Sequence, residues 1–251
     1  MRAAHLIPTV LGLAALLAAC DARAQSDSVC ERVTFENTPH LVCTVARDAD
    51  IALHLKDGDG QVLGDFDAVP GKAGTRLVMA MNAGMYHADR RPVGLYVEDG
   101  EEAAPLVTRA GPGNFGLVPN GVFWSDGERV HVTETLAFDA LEAAPDFATQ
   151  SGPMLVIDGA LHPRFKPDSD SRKRRNGVGI AGDRAVFAIS DAPVNFHLFA
   201  RLFRDRLGAD QALYLDGTIS RIRAPELDRD ERGGPLGPIV SVRVPVGATD
   251  D

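Results

Sequence analysis

The sequence is poor in positive charge. Of its 251 residues, 26 are Lys or Arg and 35 are Asp or Glu, which gives a formal net charge of −9 at pH 7. A protein that binds nucleic acid generally needs a broad basic face, so we expect no nucleic-acid partner. With 45% hydrophobic and 24% charged residues, the composition is otherwise that of a globular protein.

Familiar catalytic and metal-binding motifs are also missing. The chain has no G-x-S-x-G elbow, no H-E-x-x-H and no P-loop. Its seven histidines are scattered, and none is spaced from another as paired metal ligands usually are. The DGDG stretch at 57–60 resembles the start of a calcium loop, but Ala68 stands where that loop needs glutamate. We therefore predict no metal and no cofactor.

Residues 1–24 have the pattern of an export leader, with Arg2 followed by an apolar stretch and small residues. Two processing routes fit this pattern. The LAAC stretch ending at Cys20 resembles a bacterial lipobox, in which Cys20 would be lipidated. The A-x-A site at 22–24 would instead release a soluble chain. Both routes predict an exported, periplasmic protein, soluble or lipid-anchored, that meets a membrane only through its anchor.

Few cysteines remain once the leader is processed. Cys30 and Cys43 would then be two thiols in an oxidising compartment. The segment CERVTFENTPHLVC predicts a hairpin that turns at 37–39, and paired strands would bring the two thiols together. We expect a structural disulfide, which would stabilise the protein by roughly 3 kcal/mol in the chain-entropy model.

The mature chain alternates short apolar runs with turns rich in Gly, Asp, Asn and Pro. The clearest long helix is predicted near 194–207, where apolar residues recur at three- and four-residue spacings. A shorter helix near 137–144 fits as well. Since no linker interrupts the pattern, residues 25–251 are predicted to form one sheet-rich α+β domain with that single prominent amphipathic helix.

Five stretches at predicted strand ends combine small residues with polar side chains. They are MNAGMY (81–86), PNGVFW (119–124), QSGPML (150–155), RKRRNGVG (172–179) and LDGTIS (215–220). Glycine lets the backbone approach a ligand closely, while Asn, Ser, Arg and Asp supply directed hydrogen bonds. A single N-G or D-G pair usually marks only a turn, so it is the set that indicates a site.

Arg175 closes a basic segment, 164–175, in this otherwise acidic chain. Most of the segment is expected to be a solvated loop. Arg175 differs because it adjoins the start of the predicted strand GVGIAG. A guanidinium held at a strand end can bind phosphate or carboxylate bidentately, so Arg175 is predicted to bind an anionic substrate group.

Four of these stretches, MNAGMY, QSGPML, RRNGVG and LDGTIS, resemble in order and spacing the motifs of the phosphodiester glycosidase family. The resemblance covers roughly residues 76–243. Members typically carry L-D-G-G-G-S at the last motif, where this chain has Thr218 and Ile219 in place of two glycines. At the strand start they carry Thr-Ala, where this chain has 176–177 Asn-Gly. With these departures, the sequence resembles a bacterial branch of the family whose function is unknown.

The resemblance implies an exported hydrolase that acts on sugar phosphodiesters, with a carbohydrate or sugar-phosphate substrate. Cleaving the bond between C1 and the phosphate oxygen needs charge stabilisation and acid/base help. Asp216 suits the acid/base role, and Asp191 is the best partner carboxylate, although a helix-start role favoured by the dipole fits it too. The other residues predicted to bind substrate are Asn82, Ser151, Gly152, Asn176, Gly217 and Ser220.

A rival hypothesis is a non-catalytic envelope protein that binds glycans or anionic polymer in the same groove. The loss of two glycines after Gly217 would suit it. A purely structural lipoprotein is the third interpretation. The sequence predicts neither the sugar and its leaving group, nor a retaining or inverting outcome, nor the oligomeric state.

Overall fold

The computed structural model describes residues 29–247, so the predicted leader, with Cys20 and the A-x-A site, lies outside the described residues. In chain order the strands are β1 (Cys30–Phe35), β2 (Thr38–Ala46), β3 (Asp50–His54), β4 (Thr75–Asn82), β5 (Tyr96–Glu98), β6 (Glu101–Ala104), β7 (Gly121–Ser125), β8 (Val130–Glu134), β9 (Phe147–Ser151), β10 (Met154–Ile157), β11 (Ala160–Leu161), β12 (Asn176–Ala181), β13 (Arg184–Ser190), β14 (Gln211–Asp216), β15 (Ile222–Ala224), β16 (Arg229–Asp230) and β17 (Ile239–Pro245). The α-helices are α1 (Thr135–Asp139) and α2 (Phe196–Arg201).

These strands form three antiparallel sheets. The first has seven strands in the order β1-β2-β13-β12-β14-β10-β11, the second has the order β16-β15-β4-β17-β3, and the third β6-β5-β9-β7-β8. The central strands of the first sheet are buried on both faces, because helix α2 covers one face and the other two sheets cover the other. Phe123 of the third sheet meets Phe187 of the first edge-on at 5.8 Å in this shared core.

The predicted α+β fold class is wrong, because strands dominate the described residues and the helical segments are short. Asn195 caps α2 by accepting a hydrogen bond from the Leu198 backbone N–H at 2.9 Å. After Arg201 the α-helix gives way to a π-helical turn over Leu202–Arg206. Most other apolar runs are of strand length and lie between turns, so they pair into sheets instead of forming helices. None of the helices within residues 29–247 has the length and apolar character needed to cross a bilayer.

The predicted disulfide is confirmed. Cys30 and Cys43 occupy paired positions in the β1–β2 hairpin, and their sulfur atoms are bonded at 2.04 Å. Both residues are buried in the main core. The bond therefore ties the edge strand of the seven-stranded sheet to its neighbour.

Candidate active site

The site lies where strand ends of two sheets meet. Strand β4 ends at Asn82 in the five-stranded sheet that contains β15 and β17, and β14 ends at Asp216 in the seven-stranded sheet. Asn176, the first residue of β12, pairs directly with Asp216. A shift of register between Asn176 and Gly177 lets the strand ends diverge at this point. The structure thus brings together three residues that the sequence placed at separate strand ends.

The Asp216 carboxylate is half-buried and is held by two donors. Its Oδ1 accepts the Gly217 backbone N–H at 2.6 Å, and its Oδ2 lies 3.4 Å from Asn82 Nδ2. Burial raises the pKa of Asp216 to about 6, and these two hydrogen bonds oppose the rise. A carboxyl group with this pKa exchanges protons readily near neutral pH, as general acid/base catalysis requires.

Two fully buried asparagines fix the turn that follows Asp216. Asn176 Oδ1 accepts the Asp216 backbone N–H at 2.8 Å and the Ser220 hydroxyl at 3.1 Å. Asn176 Nδ2 donates to the Asn82 carbonyl oxygen at 2.7 Å. Asn82 Oδ1 accepts the backbone N–H of Arg221 at 2.9 Å. Because every polar atom of Asn176 is used inside the protein, this side chain holds the carboxylate in position.

Ser151 and Gly152 lie behind the same turn. The Ser151 hydroxyl is fully buried and donates to the Leu215 carbonyl oxygen at 2.8 Å. Gly152 lies with its backbone against the side chain of Asn120. Ser151 therefore supports the end of β14, as Ser220 supports the turn. Direct contact between a substrate and these two hydroxyls stays a prediction.

Gly217 allows an unusually close approach of two groups. A Cβ atom at this position would lie 2.6 Å from the Tyr214 hydroxyl oxygen, so only glycine fits without displacing the phenol. Asn114 Nδ2 lies 3.5 Å from the same hydroxyl. The two residues that follow, Thr218 and Ile219, are exposed at the tip of the turn.

Arg175 does not reach the surface, since only 1% of it is exposed. Its Nε donates to the Val194 carbonyl oxygen and its Nη2 to that of Ser171, each at 2.9 Å. The guanidinium carbon lies 3.6 Å from the ring centroid of Phe196. Burial lowers the pKa of Arg175, and the neighbouring Tyr214 opposes this. Arg175 is thus packed behind Tyr214 inside the protein. Its contact with a substrate anion remains a prediction.

Asp191 is engaged in an ion-pair cluster next to the site. Its Oδ1 lies 2.5 Å from Arg229 Nη2 and 3.7 Å from Arg174 Nη2. Arg174 in turn contacts Glu231 at 2.6 Å. Within residues 29–247, no hydrogen bond joins a second carboxylate to Asp216, Asn82 or Asn176. The role of Asp191 as a catalytic partner stays a prediction, and its ion pairs favour a structural role.

Sequence analysis missed Tyr86, which interacts electrostatically with Asp216, and Arg221, whose backbone N–H binds Asn82. Tyr86 is half-buried, and this burial is the main cause that raises the pKa of its phenol. The negative charge of Asp216 raises that pKa further, whereas the positive charges of Arg90 and Arg221 lower it. Arg90 also lies over the Tyr86 ring, with its guanidinium carbon 5.6 Å from the centroid. Tyr86 and Arg221 each adjoin or end a stretch that was singled out, so adjacency to a motif was the available signal.

The described part of the chain has no cluster of side chains that could bind a metal ion. Residues 29–247 contain no group of three or more His, Cys, Asp or Glu side chains arranged to hold an ion. The polar atoms around Asp216 are mainly amide and hydroxyl groups that already bind one another. This arrangement suits proton transfer and hydrogen bonding to a substrate.

The chain is similar to known proteins in both sequence and fold. Residues 75–224, which include most of the site, match the sequence profile of the phosphodiester glycosidase family. The Escherichia coli protein YigE, which is uncharacterised, is 38% identical over 175 residues, or 68% of each chain. The fold is similar to that of the zebrafish N-acetylglucosamine-1-phosphodiester α-N-acetylglucosaminidase catalytic domain, auto-inhibited by its pro-peptide. That likeness has a TM-score of 0.61 at 12% identity and covers 85% of this chain and 81% of the other. A hypothetical protein from Synechocystis has a TM-score of 0.51 at 14% identity, covering 86% and 61%.

Proposed function

This chain belongs to the phosphodiester glycosidase family, and we propose that it is an exported hydrolase that cleaves a sugar-1-phosphodiester bond in envelope or extracellular glycans. The proposed bond resembles that of an N-acetylglucosamine-phosphate ester. The observation that carries the proposal is the half-buried Asp216 carboxylate, whose pKa of about 6 and whose donors Asn82 and Gly217 suit proton transfer. The export leader predicted over 1–24 supports the envelope location.

The proposed reaction breaks the bond between the sugar C1 and the phosphate oxygen. The oxygen of water bonds to C1, the electron pair of the old bond moves to the phosphate, and one water proton is taken up by the site. A phosphomonoester has a second pKa of about 6, so it can leave near neutral pH without being protonated. Such a reaction needs one base, which takes the proton of the attacking water, and one cation, which stabilises the charge on the phosphate. These two groups matter more for it than a pair of carboxylates.

Asp216 is the proposed proton acceptor for the attacking water. With a pKa of about 6 the carboxylate is mostly ionised at pH 7 yet remains basic enough to take a proton. Asn176 holds the backbone of Asp216, and Asn82 contacts its Oδ2, so the carboxylate is positioned before the substrate binds. This preorganisation supports a catalytic role for the turn.

The alternative is a binding protein that holds a glycan or an anionic polymer without cleaving it. Exposed Thr218 and Ile219, which replace family glycines at the tip of the turn, favour this alternative because they change the surface that a phosphate would meet. The two functions make different predictions for Asp216→Asn. An enzyme loses turnover while it still binds, and a binding protein changes only in affinity.

The test is hydrolysis of N-acetylglucosamine-1-phosphate methyl ester, and of a small panel of related esters, by residues 25–251 with the disulfide intact. We expect turnover by the parent and a loss of at least about 100-fold in Asp216→Asn. Asp205→Asn is the matched control, because Asp205 pairs with Arg201 and Arg204 on the helix surface.

Reaction in ¹⁸O-labelled water identifies the bond that breaks. A glycosidase places the label on the sugar C1 hydroxyl, whereas a phosphodiesterase places it on the phosphate. Label on phosphate, or equal activity of the Asp216→Asn variant and the parent, would contradict the proposal. No turnover by the folded parent across the panel, with retained glycan binding, would favour the binding protein.

A further inference from the structure

Arg221 is a buried cation fastened to the candidate site. Its backbone N–H donates to Asn82 Oδ1 at 2.9 Å, and that asparagine also contacts the Asp216 carboxylate. Only 8% of Arg221 is exposed. Its Nη2 donates to the carbonyl oxygen of Gly234. Its Nη1 is buried and has no hydrogen-bond partner among residues 29–247.

Arg221 also has no carboxylate partner among the described residues. Arg223, two positions further along the chain in β15, lies 2.5 Å from Asp67 and 2.7 Å from Asp230. A buried charge without a counter-ion is costly, and a buried donor without an acceptor often marks the place of a missing ligand. An anion that reached Nη1 would remove both costs.

A glycine-rich loop packs closely on the Arg221 guanidinium. A Cβ atom on Gly233 would lie 2.7 Å from Arg221 Nη1, so this glycine keeps side-chain atoms away from the free donor. Gly237 lies directly against the Tyr86 ring. Strand β17 begins two residues after Gly237, and its first residue, Ile239, pairs with Asn82. Tyr86 interacts electrostatically with both Asp216 and Arg221, so its phenol lies near both the carboxylate and the guanidinium in the same region of the molecule.

Among residues 29–247, Arg175 is the other arginine whose Nη1 is buried without a hydrogen-bond partner. It is less suited to bind an anion, because Phe196 lies on its guanidinium at 3.6 Å and Tyr214 lies beside it. Arg221 instead borders the exposed loop residues Gly233 and Gly234. Because Nη1 is buried, an anion reaches it only when this glycine pair shifts, and the absence of side chains on the pair favours such a shift.

We propose that Arg221 is the substrate-binding residue that holds the phosphate group in the Asp216 site. The reaction rests on the function proposed above, but the anion site rests on the unpartnered guanidinium itself. As the bond to C1 breaks, the charge on the phosphate rises from −1 towards −2. The guanidinium therefore stabilises the transition state more than the ground state, which is the condition for faster catalysis.

Binding of inorganic phosphate tests the anion site without any need for turnover. Titration calorimetry on the parent should show one site, and Arg221→Met should weaken binding about 10- to 100-fold, as expected for loss of a charge-assisted hydrogen bond. Arg221→Lys should retain part of the affinity. Arg223→Met is the matched control, because it removes an equal charge two residues away and should bind phosphate as the parent does.

Turnover of the sugar phosphodiester tests the catalytic consequence. We expect kcat/KM to fall about 100-fold in Arg221→Met and to recover partly in Arg221→Lys. The uncharged p-nitrophenyl N-acetylglucosaminide should lose far less, because it has no phosphate. An equal loss on both substrates, or an equal loss in Arg223→Met, would indicate a purely structural residue and overturn the proposal.

Two further outcomes keep the anion site and the reaction separate. Phosphate binding that depends on Arg221, in a parent without turnover, would uphold the site and reject the reaction. If Arg221→Met does not fold, a crystal structure of the parent with inorganic phosphate decides. A phosphate oxygen within hydrogen-bond distance of Arg221 Nη1 supports the proposal, and phosphate bound elsewhere or nowhere overturns it.

Discussion

Asp216→Asn should change the pH dependence of stability as well as activity. Burial raises the pKa of this carboxyl group from 3.8 to about 6 in the folded protein. Between these two pH values the folded state binds more protons than the unfolded state, so stability falls as the pH rises. The stabilisation is therefore fully present below the unfolded pKa and lost as the pH passes through the folded pKa.

The size of the effect follows from the difference between the two pKa values. A change from 3.8 to about 6 corresponds to about 3 kcal/mol of unfolding free energy. Linkage places about 2 kcal/mol of this between pH 4 and pH 8. Because asparagine does not titrate, the variant should gain about that much stability relative to the parent over the same range. Its altered hydrogen bonds to Asn82 and Gly217 add only an offset that does not vary with pH.

Urea unfolding of the oxidised protein at a series of pH values measures this difference. Asp205→Asn is the control, since hydrogen bonds and ion pairs with Arg204 and Arg201 lower the pKa of Asp205 and neither arginine titrates in this pH range. Asp205 is ionised in both states above about pH 5, so its variant should differ from the parent by a constant amount from there to pH 8. A constant difference for Asp216→Asn as well, or one of opposite sign, would refute the argument that Asp216 is a buried carboxyl group of raised pKa.

Three other changes test how the site and the fold are held. Asn176→Ala should lower the unfolding free energy by about 3 kcal/mol in urea, because it leaves buried donors and acceptors unpaired; a loss within error would show that water replaces the amide. Gly217→Ala should lower Tm through the clash with the Tyr214 hydroxyl, and adding Tyr214→Phe should restore part of it; a purely additive double variant would contradict this contact. Replacing Cys30 and Cys43 by serine should cost about 3 kcal/mol in urea unfolding, and an unchanged midpoint would mean that the bond adds no stability.

The sequence alone determined those features that depend on neighbouring residues. The turn predicted at 37–39 lies at Glu36 and Asn37 in the structure, and this two-residue turn sets the register that places Cys30 opposite Cys43. Similarly, a polar residue after an apolar strand must lie at a strand end, which is where Asp216 and Asn82 are found. The order of the motifs was enough to identify the family.

The tertiary structure decided the fold class and the environment of each charge. The sequence predicted a sheet-rich α+β domain with one long helix over 194–207, whereas the described α-helix there is only Phe196–Arg201, followed by a π-helical turn. Arg175, Asp191 and Arg221 each adjoin a strand end and could not be ranked from the sequence. Packing buried the first behind aromatic rings and gave the second an arginine partner, while it left the third with an unpaired donor. Burial and charge pairing depend on residues far apart in the chain, so only the folded structure brings those partners together.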